Sequence, residues 1–130
     1  MFNLFKKKNK YPPFKVLGDY AHKDFYFVRC ASWMWMNHEH IVVWDPINPL
    51  RHITFDPWPQ MIFLCATGEK TVSEYVTYVA EQGIFDGGVP DKLDETILNE
   101  LQGLLGLKIV ELCTKRKRPD VEFDIALEKL

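Results

Sequence analysis

Between Ile53 and Ala80 the hydrophobic pattern changes period twice, and each change carries a helix-start signal. Arg51 to Phe55 reads as a short strand. Asp56-Pro57 then predicts a helix entry, because a carboxylate can cap orphan amides and proline at the first helical position gives up no needed bond. Trp58, Met61, Ile62 and Cys65 fall at helical spacing, and Gly68 is placed to end that helix in a left-handed turn. Thr71 and Glu74 match a capping box, followed by an apolar stripe of Val72, Tyr75, Val76 and Val79 that stops near Gly83. Pro90 or Asp91 opens a third helix with Leu93, Ile97, Leu101 and Leu104 on one face, ended by Gly106.

Upstream, Phe14 to Phe55 is rich in aromatic and β-branched residues and reads as β structure. Phe25 to Arg29, Trp33 to Met36 and Ile41 to Trp44 are the strand segments before Arg51 to Phe55. Asn37 to Glu39 makes a turn, and Asp45-Pro46-Ile47-Asn48-Pro49 breaks the chain. Close spacing predicts an antiparallel meander. In an extended chain Trp33 and Trp35 share one face while Met34 and Met36 share the other. Both faces are therefore apolar, which calls for a strand covered on both sides or for one face meeting a partner. Downstream, Leu107 to Cys113 reads as a strand. The basic break Lys115-Arg116-Lys117-Arg118-Pro119 and the alternation of Val121, Phe123, Ile125 and Leu127 then predict a hairpin with a basic tip. A short C-terminal helix from Asp124 is the alternative reading.

The chain of 130 residues is sized for one domain. Its 47% hydrophobic and 26% charged content is that of a globular protein. Residues 1–13, with their lysine run, read as a basic arm. Phe2, Leu4 and Phe5 beside the lysines give too little apolar area for a membrane anchor. The longest apolar run, Met61 to Ala66, is six residues, too short to span a bilayer. The lysines follow the N-terminal apolar residues, the reverse of a secretory signal, so a cytoplasmic location is expected. Cys30, Cys65 and Cys113 form no paired motif and read as free thiols. Residues 16–114 hold 14 acids against six bases, a net of −8, so an acidic body is flanked by basic ends. Such a body favours neutral or basic partners over phosphate backbones.

A strand ending in Trp44-Asp45-Pro46, the Ile53-Thr54-Phe55 segment, the Gly68-x-x-Thr71-Val72 turn with Glu74, and the helix and strand either side of Gly106 together resemble the PqqD-like domains. These are small winged-helix folds also called RiPP recognition elements. The similar portion runs from about Ile41 to Leu112. The fold expected is thus α+β: an N-terminal antiparallel β-meander followed by a three-helix winged-helix-like bundle with a C-terminal β-hairpin. The resemblance implies a non-catalytic module in which a precursor peptide adds to the third strand and packs against the third helix. The matching positions are Arg51, Ile53, Thr54 and Phe55 on the strand and Leu93, Thr96, Ile97 and Glu100 on the helix; Leu93 and Ile97 suit the core equally well. Strand addition supplies affinity from backbone groups and selectivity from side chains. Self-association through the sheet edge or through Trp33 to Met36 is a companion role.

Other chemistries fit less well. His38-Glu39-His40 with His22 or His52 holds metal-ligand types without a metal-site motif, so no metal or cofactor is expected. Ser32, Ser73 and the cysteines lack a nucleophile motif, and no phosphate-binding glycine loop is present. Asp94 and Glu95 read as a solvated helix face. The alternative to peptide binding is a winged-helix DNA-binding protein using Lys115, Arg116, Lys117 and Arg118 on phosphates. Against it, the would-be recognition helix carries Asp91, Asp94, Glu95 and Glu100 with only Lys92, so nucleic acid is disfavoured.

Overall fold

In the computed structural model, residues 12–127 are described, so the expected basic arm lies almost wholly outside them. The order is α1 (Lys15–Asp19), β1 (Tyr26–Arg29), β2 (Trp33–Trp35), β3 (Ile41–Trp44), β4 (His52–Ile53), α2 (Pro57–Cys65), β5 (Thr67–Thr71), α3 (Val72–Ala80), α4 (Leu93–Gly106), β6 (Val110–Cys113) and α5 (Val121–Asp124). The protein is α+β, with two small antiparallel sheets ordered β5-β1-β6 and β2-β3-β4. Among the described residues no helix is long and apolar enough to cross a membrane.

Three expectations are corrected. The first segment of the β-like region forms the helical turn α1, and β1 leaves the meander to become the middle strand of the other sheet. Its partners come from much later in the chain, with Phe27 opposite Leu112 and Tyr26 opposite Thr71. Second, Gly68 does not end α2, which stops at Cys65, but lies within β5 at φ 79°. Three residues of β5, Gly68 to Lys70, span the single β1 residue Phe27 between the paired positions, so the strand bulges there. Third, residues 121–124 form a helical turn in place of a returning strand, so no basic-tipped hairpin follows β6 among the described residues.

Local signals explain the helices. Thr71 Oγ1 accepts from the Glu74 N–H at 3.1 Å while Glu74 Oε1 accepts from the Thr71 N–H at 2.8 Å, completing the capping box. Asp56 precedes α2 in extended conformation, but its carboxylate caps nothing; proline at the first turn marks the start. The third helix begins at Leu93, slightly after the expected Pro90 or Asp91. Beyond Gly106 the left-handed residue is Lys108, at φ 63°, and the Ile109 N–H reaches back to Leu104 O.

One core joins both sheets to the helices. Phe27, Ile41, Val43, Ile62, Phe63, Tyr75, Val76, Leu93, Ile97, Leu101 and Ile109 are fully buried within it. Rings interlock at its centre: Phe27 meets Tyr75 edge-on at 5.4 Å and Trp33 meets Phe63 at 6.1 Å. The opposite face of the β2-β3-β4 sheet is half-open, since Met34 and Trp44 are partly exposed and Met36 is half-exposed. The double-sided covering expected of β2 is therefore incomplete.

Among the described residues the buried Tyr75 hydroxyl meets no nitrogen or oxygen hydrogen-bond partner. The Cys65 thiol beside it is too weak an acceptor to count as one. Replacing Tyr75 by Phe removes an unsatisfied polar atom while keeping the ring. The expected result is unchanged stability or a gain of up to about 1 kcal/mol in denaturant unfolding. A loss larger than that would reveal a hydrogen bond at this hydroxyl.

Candidate functional site

Hydrogen bonds at the two ends of the β2-β3-β4 sheet decide which backbone groups remain free. The Asp45 N–H donates to Arg51 O at 3.0 Å, and Ile53 opposes Val43. Antiparallel alternation then turns the backbone groups of His52 and Thr54 away from β3. Neither finds a partner among the described residues. Gln60 stops the ladder after Ile53: its Oε1 accepts the Ile41 N–H at 3.0 Å, the donor that a longer β4 would use, while its Nε2 donates to Glu39 O at 2.7 Å. The expected strand from Arg51 to Phe55 is therefore cut to two residues, with a free outer edge.

A loop held by Asp45 leads into this edge. Buried Asp45 accepts from the Ile47 N–H at 2.8 Å and the Asn48 N–H at 3.3 Å, and lies 3.5 Å from Arg51 Nη1. The loop so held presents Ile47 and Leu50 to solvent, Leu50 at 93% exposure. Phe55 turns inward and packs beside Phe63 at 6.2 Å.

The helix half of the expected site is not on the surface. Leu93 and Ile97 are each 1% exposed and belong to the core, so neither offers a face to a partner. Thr96 and Glu100 are half-buried. The N-terminal end of α4 is instead met by α1, where the Leu17 N–H donates to buried Asp94 Oδ2 at 2.9 Å. Asp94 is thus a structural acceptor, which corrects its reading as part of a solvated face.

The basic run lies in a different place from the tip expected of it. The chain leaves β6 at Cys113, and by Lys117 its backbone rests against Gly68 of β5, so it crosses the middle strand β1. Arg116, Lys117 and Arg118 form one wall of an open groove of about 790 Å³ whose other wall is β5 and α3, with Glu69, Glu74 and Glu81. Lys115 stands outside it. Lys117 pairs with Glu111 at 3.1 Å, Arg118 with Asp124 at 3.7 Å, and Lys70 covers the Tyr78 ring at 4.6 Å. Its hydrogen bond to Glu111 raises the Lys117 ammonium above its ordinary range. The groove therefore carries both signs of charge, with Lys70 among the glutamates of the β5 and α3 wall.

The histidines are scattered among other partners. His40 contacts Asn37 Oδ1 at 3.2 Å, His52 lies on Trp44, and His22 lies between Tyr20 and Phe25. No group of three or more His, Cys, Asp or Glu side chains among the described residues is placed to hold a metal ion. All three cysteines are free; burial pushes the Cys30 thiol up to about 11 and raises Cys65 and Cys113 as well. Thiols so shifted are poor nucleophiles near neutrality.

The feature that sequence reasoning missed is Arg29. It is buried, with Nη1 donating to Leu64 O at 2.8 Å and Phe63 O at 3.4 Å, Nε to Phe123 O at 2.8 Å and Nη2 to Asp124 O at 2.8 Å. Its guanidinium lies 5.2 Å from the Trp33 ring centre, and Trp33 Nε1 also donates to Phe123 O. The end of α2 and the C-terminal segment are thus tied through one side chain. The only signal in the chain is an arginine set between Val28 and Cys30 in an otherwise apolar strand. Comparison with known proteins finds no matching family, no similar curated protein and no similar solved structure.

Proposed function

We propose that this chain is a non-catalytic binding module that receives an extended peptide or protein segment by strand addition at β4. The single observation that carries this reading is the pair of outward, unpartnered backbone positions at His52 and Thr54. An edge strand in this state is a template for another chain. The sheet's other edge, at β2, is engaged at Trp33 by Leu127, whereas β4 has neither outward position engaged among the described residues. Exposed Ile47 and Leu50 beside it offer apolar contacts, and Arg51 offers a cation.

In this reading the strands β2, β3 and β4 followed by α2, α3 and α4 make the winged-helix arrangement of a PqqD-like recognition domain. The ligand contacts lie on the strand and the 47–50 loop, with Thr96 and Glu100 the remaining helix candidates. The test is a titration of isotope-labelled protein with peptides encoded by short reading frames beside its gene. Amide shifts should concentrate at residues 50–55. Thr54→Pro removes an outward N–H that the free protein does not use. Binding should weaken about tenfold or more with the fold retained, whereas Thr54→Ala should bind nearly as well. Absence of any peptide binding, together with salt-sensitive duplex binding, would replace this reading with the nucleic-acid one.

A further inference from the structure

The outer edge of β2 differs chemically from the edges of the other strands. Residues 30–36, Cys-Ala-Ser-Trp-Met-Trp-Met, contain no charge, proline or glycine. Segments of this length and character pair with copies of themselves when an edge is open. By contrast, β5 bulges at Gly68 and carries Glu69 and Lys70, and β4 is two residues long between Pro49 and Pro57.

The backbone of β2 is set for such pairing. The Trp44 N–H donates to Ser32 O and the Met36 N–H to His40 O, so the even-numbered residues face β3. Trp33 and Trp35 therefore direct their N–H and C=O groups outward. One of those groups is taken: the Leu127 N–H donates to Trp33 O at 2.8 Å. The donor follows Ile125, which is extended, and the segment is anchored just before it by Arg29 and Trp33 on the carbonyls of residues 123 and 124. Trp35 keeps outward groups without partners among the described residues, and it and Met36 are 43% and 50% exposed.

We propose that the outer edge of β2 is a self-association surface whose partner is the same edge of a second copy, and that the C-terminal segment is a strap holding it closed. Antiparallel pairing centred on Met34 sets Trp33 of one copy opposite Trp35 of the other. Every outward group on both strands then finds its complement in an isologous interface. The strap blocks this register because it occupies the Trp33 carbonyl. This inference is independent of peptide binding at β4.

The test compares full-length chains by sedimentation velocity across a concentration series. Leu127→Pro deletes the donor to Trp33 while leaving the Arg29 anchor intact, and Leu127→Ala keeps the donor. Leu127→Pro should raise the association constant roughly 25- to 100-fold, because an isologous dimer frees two Trp33 carbonyls and each competing backbone hydrogen bond counts for about five- to tenfold. Leu127→Ala should stay near the parent. Adding Trp35→Lys to Leu127→Pro should return the protein to monomer, since it places a charge on the pairing edge. Removal of residues 127–130 should behave like Leu127→Pro and guards against an effect of proline itself. The proposal is overturned if Leu127→Pro and the truncated chain remain as monomeric as the parent, if Leu127→Ala associates equally, or if Trp35→Lys fails to reverse association. A parent chain that is already a dimer through β2 would overturn the strap.

Discussion

Replacing Arg29 with methionine is expected to destabilise the protein by about 3–5 kcal/mol, the largest effect of any single side-chain replacement considered. Methionine matches the arginine side chain out to the Nε position, so the loss is mainly that of the guanidinium and the space it fills. Four carbonyls depend on it: those of Phe63 and Leu64 near the end of α2, and those of Phe123 and Asp124 at α5. Phe63 O also accepts from the Ala66 N–H at 3.1 Å, so Leu64 O is the helix-end carbonyl for which Arg29 supplies the missing partner. Trp33 Nε1 still serves Phe123 O in the variant, which keeps the loss from being larger. Burial pushes the Arg29 guanidinium down while Asp124, 3.6 Å from Nη2, pushes it back up, and an arginine stays charged throughout.

The measurement is thermal and denaturant unfolding, with a fall in midpoint of roughly 10–20 °C for a domain of this size. A second readout separates the anchor from a general loss of packing. Protease cleavage within residues 121–127 should accelerate in the variant before global unfolding does, because α5 and the strap lose two of their fixed points. A variant with parent-like stability would mean that water serves these carbonyls as well as Arg29 does.

The second large effect is expected at Gly68. A Cβ on this residue falls 1.6 Å from Lys117 O and 2.7 Å from Lys117 C, both backbone atoms that cannot rotate aside. Its φ of 79° adds the penalty of a left-handed conformation for any other residue. Gly68→Ala must therefore move the crossing segment off β5 and stretch the 3.4 Å bond from the Lys117 N–H to Gly68 O. The expected cost is about 2–4 kcal/mol. Gly87 has the same φ of 79°, and a Cβ there would meet nothing within 4 Å, so Gly87→Ala isolates the conformational part, about 1 kcal/mol. Trypsin at residues 115–118 reports the displacement directly: Gly68→Ala should speed cleavage there, and Gly87→Ala should not. Equal stability of the two variants would show that the segment yields without cost.

Strongly local features were legible in the chain. Ile41–Trp44 forms the strand its residues predict, the Thr71–Glu74 box closes with both hydrogen bonds, and the apolar stripe of α4 places Leu93, Ile97, Leu101 and Leu104 in the core. Each depends on residues within a few positions of one another, so propensity and spacing suffice. The free edge of β4 was partly legible too, since its prolines and short apolar run mark a strand end. Its length was not, because the side chain that ends the ladder, Gln60, sits on the next helix.

Features joining distant segments read differently in isolation. Gly68 looks like a helix terminator from its neighbours, yet its role comes from Lys117, nearly fifty positions away. The alternation of Val121, Phe123, Ile125 and Leu127 looks like a strand, but Arg29 and Trp33 hold its carbonyls in a helical turn followed by a single β rung. The sequence by itself determined the helix starts, the β3 strand, the core face of α4 and the uncharged character of residues 30–36. Only the tertiary structure decided that β1 pairs with β5 and β6, that Arg116 to Arg118 face α3 across a groove, and that Leu127 meets the edge of β2 at Trp33. Local signals act through the backbone's own periodicity, whereas these pairings depend on which unsatisfied groups meet once the core has closed.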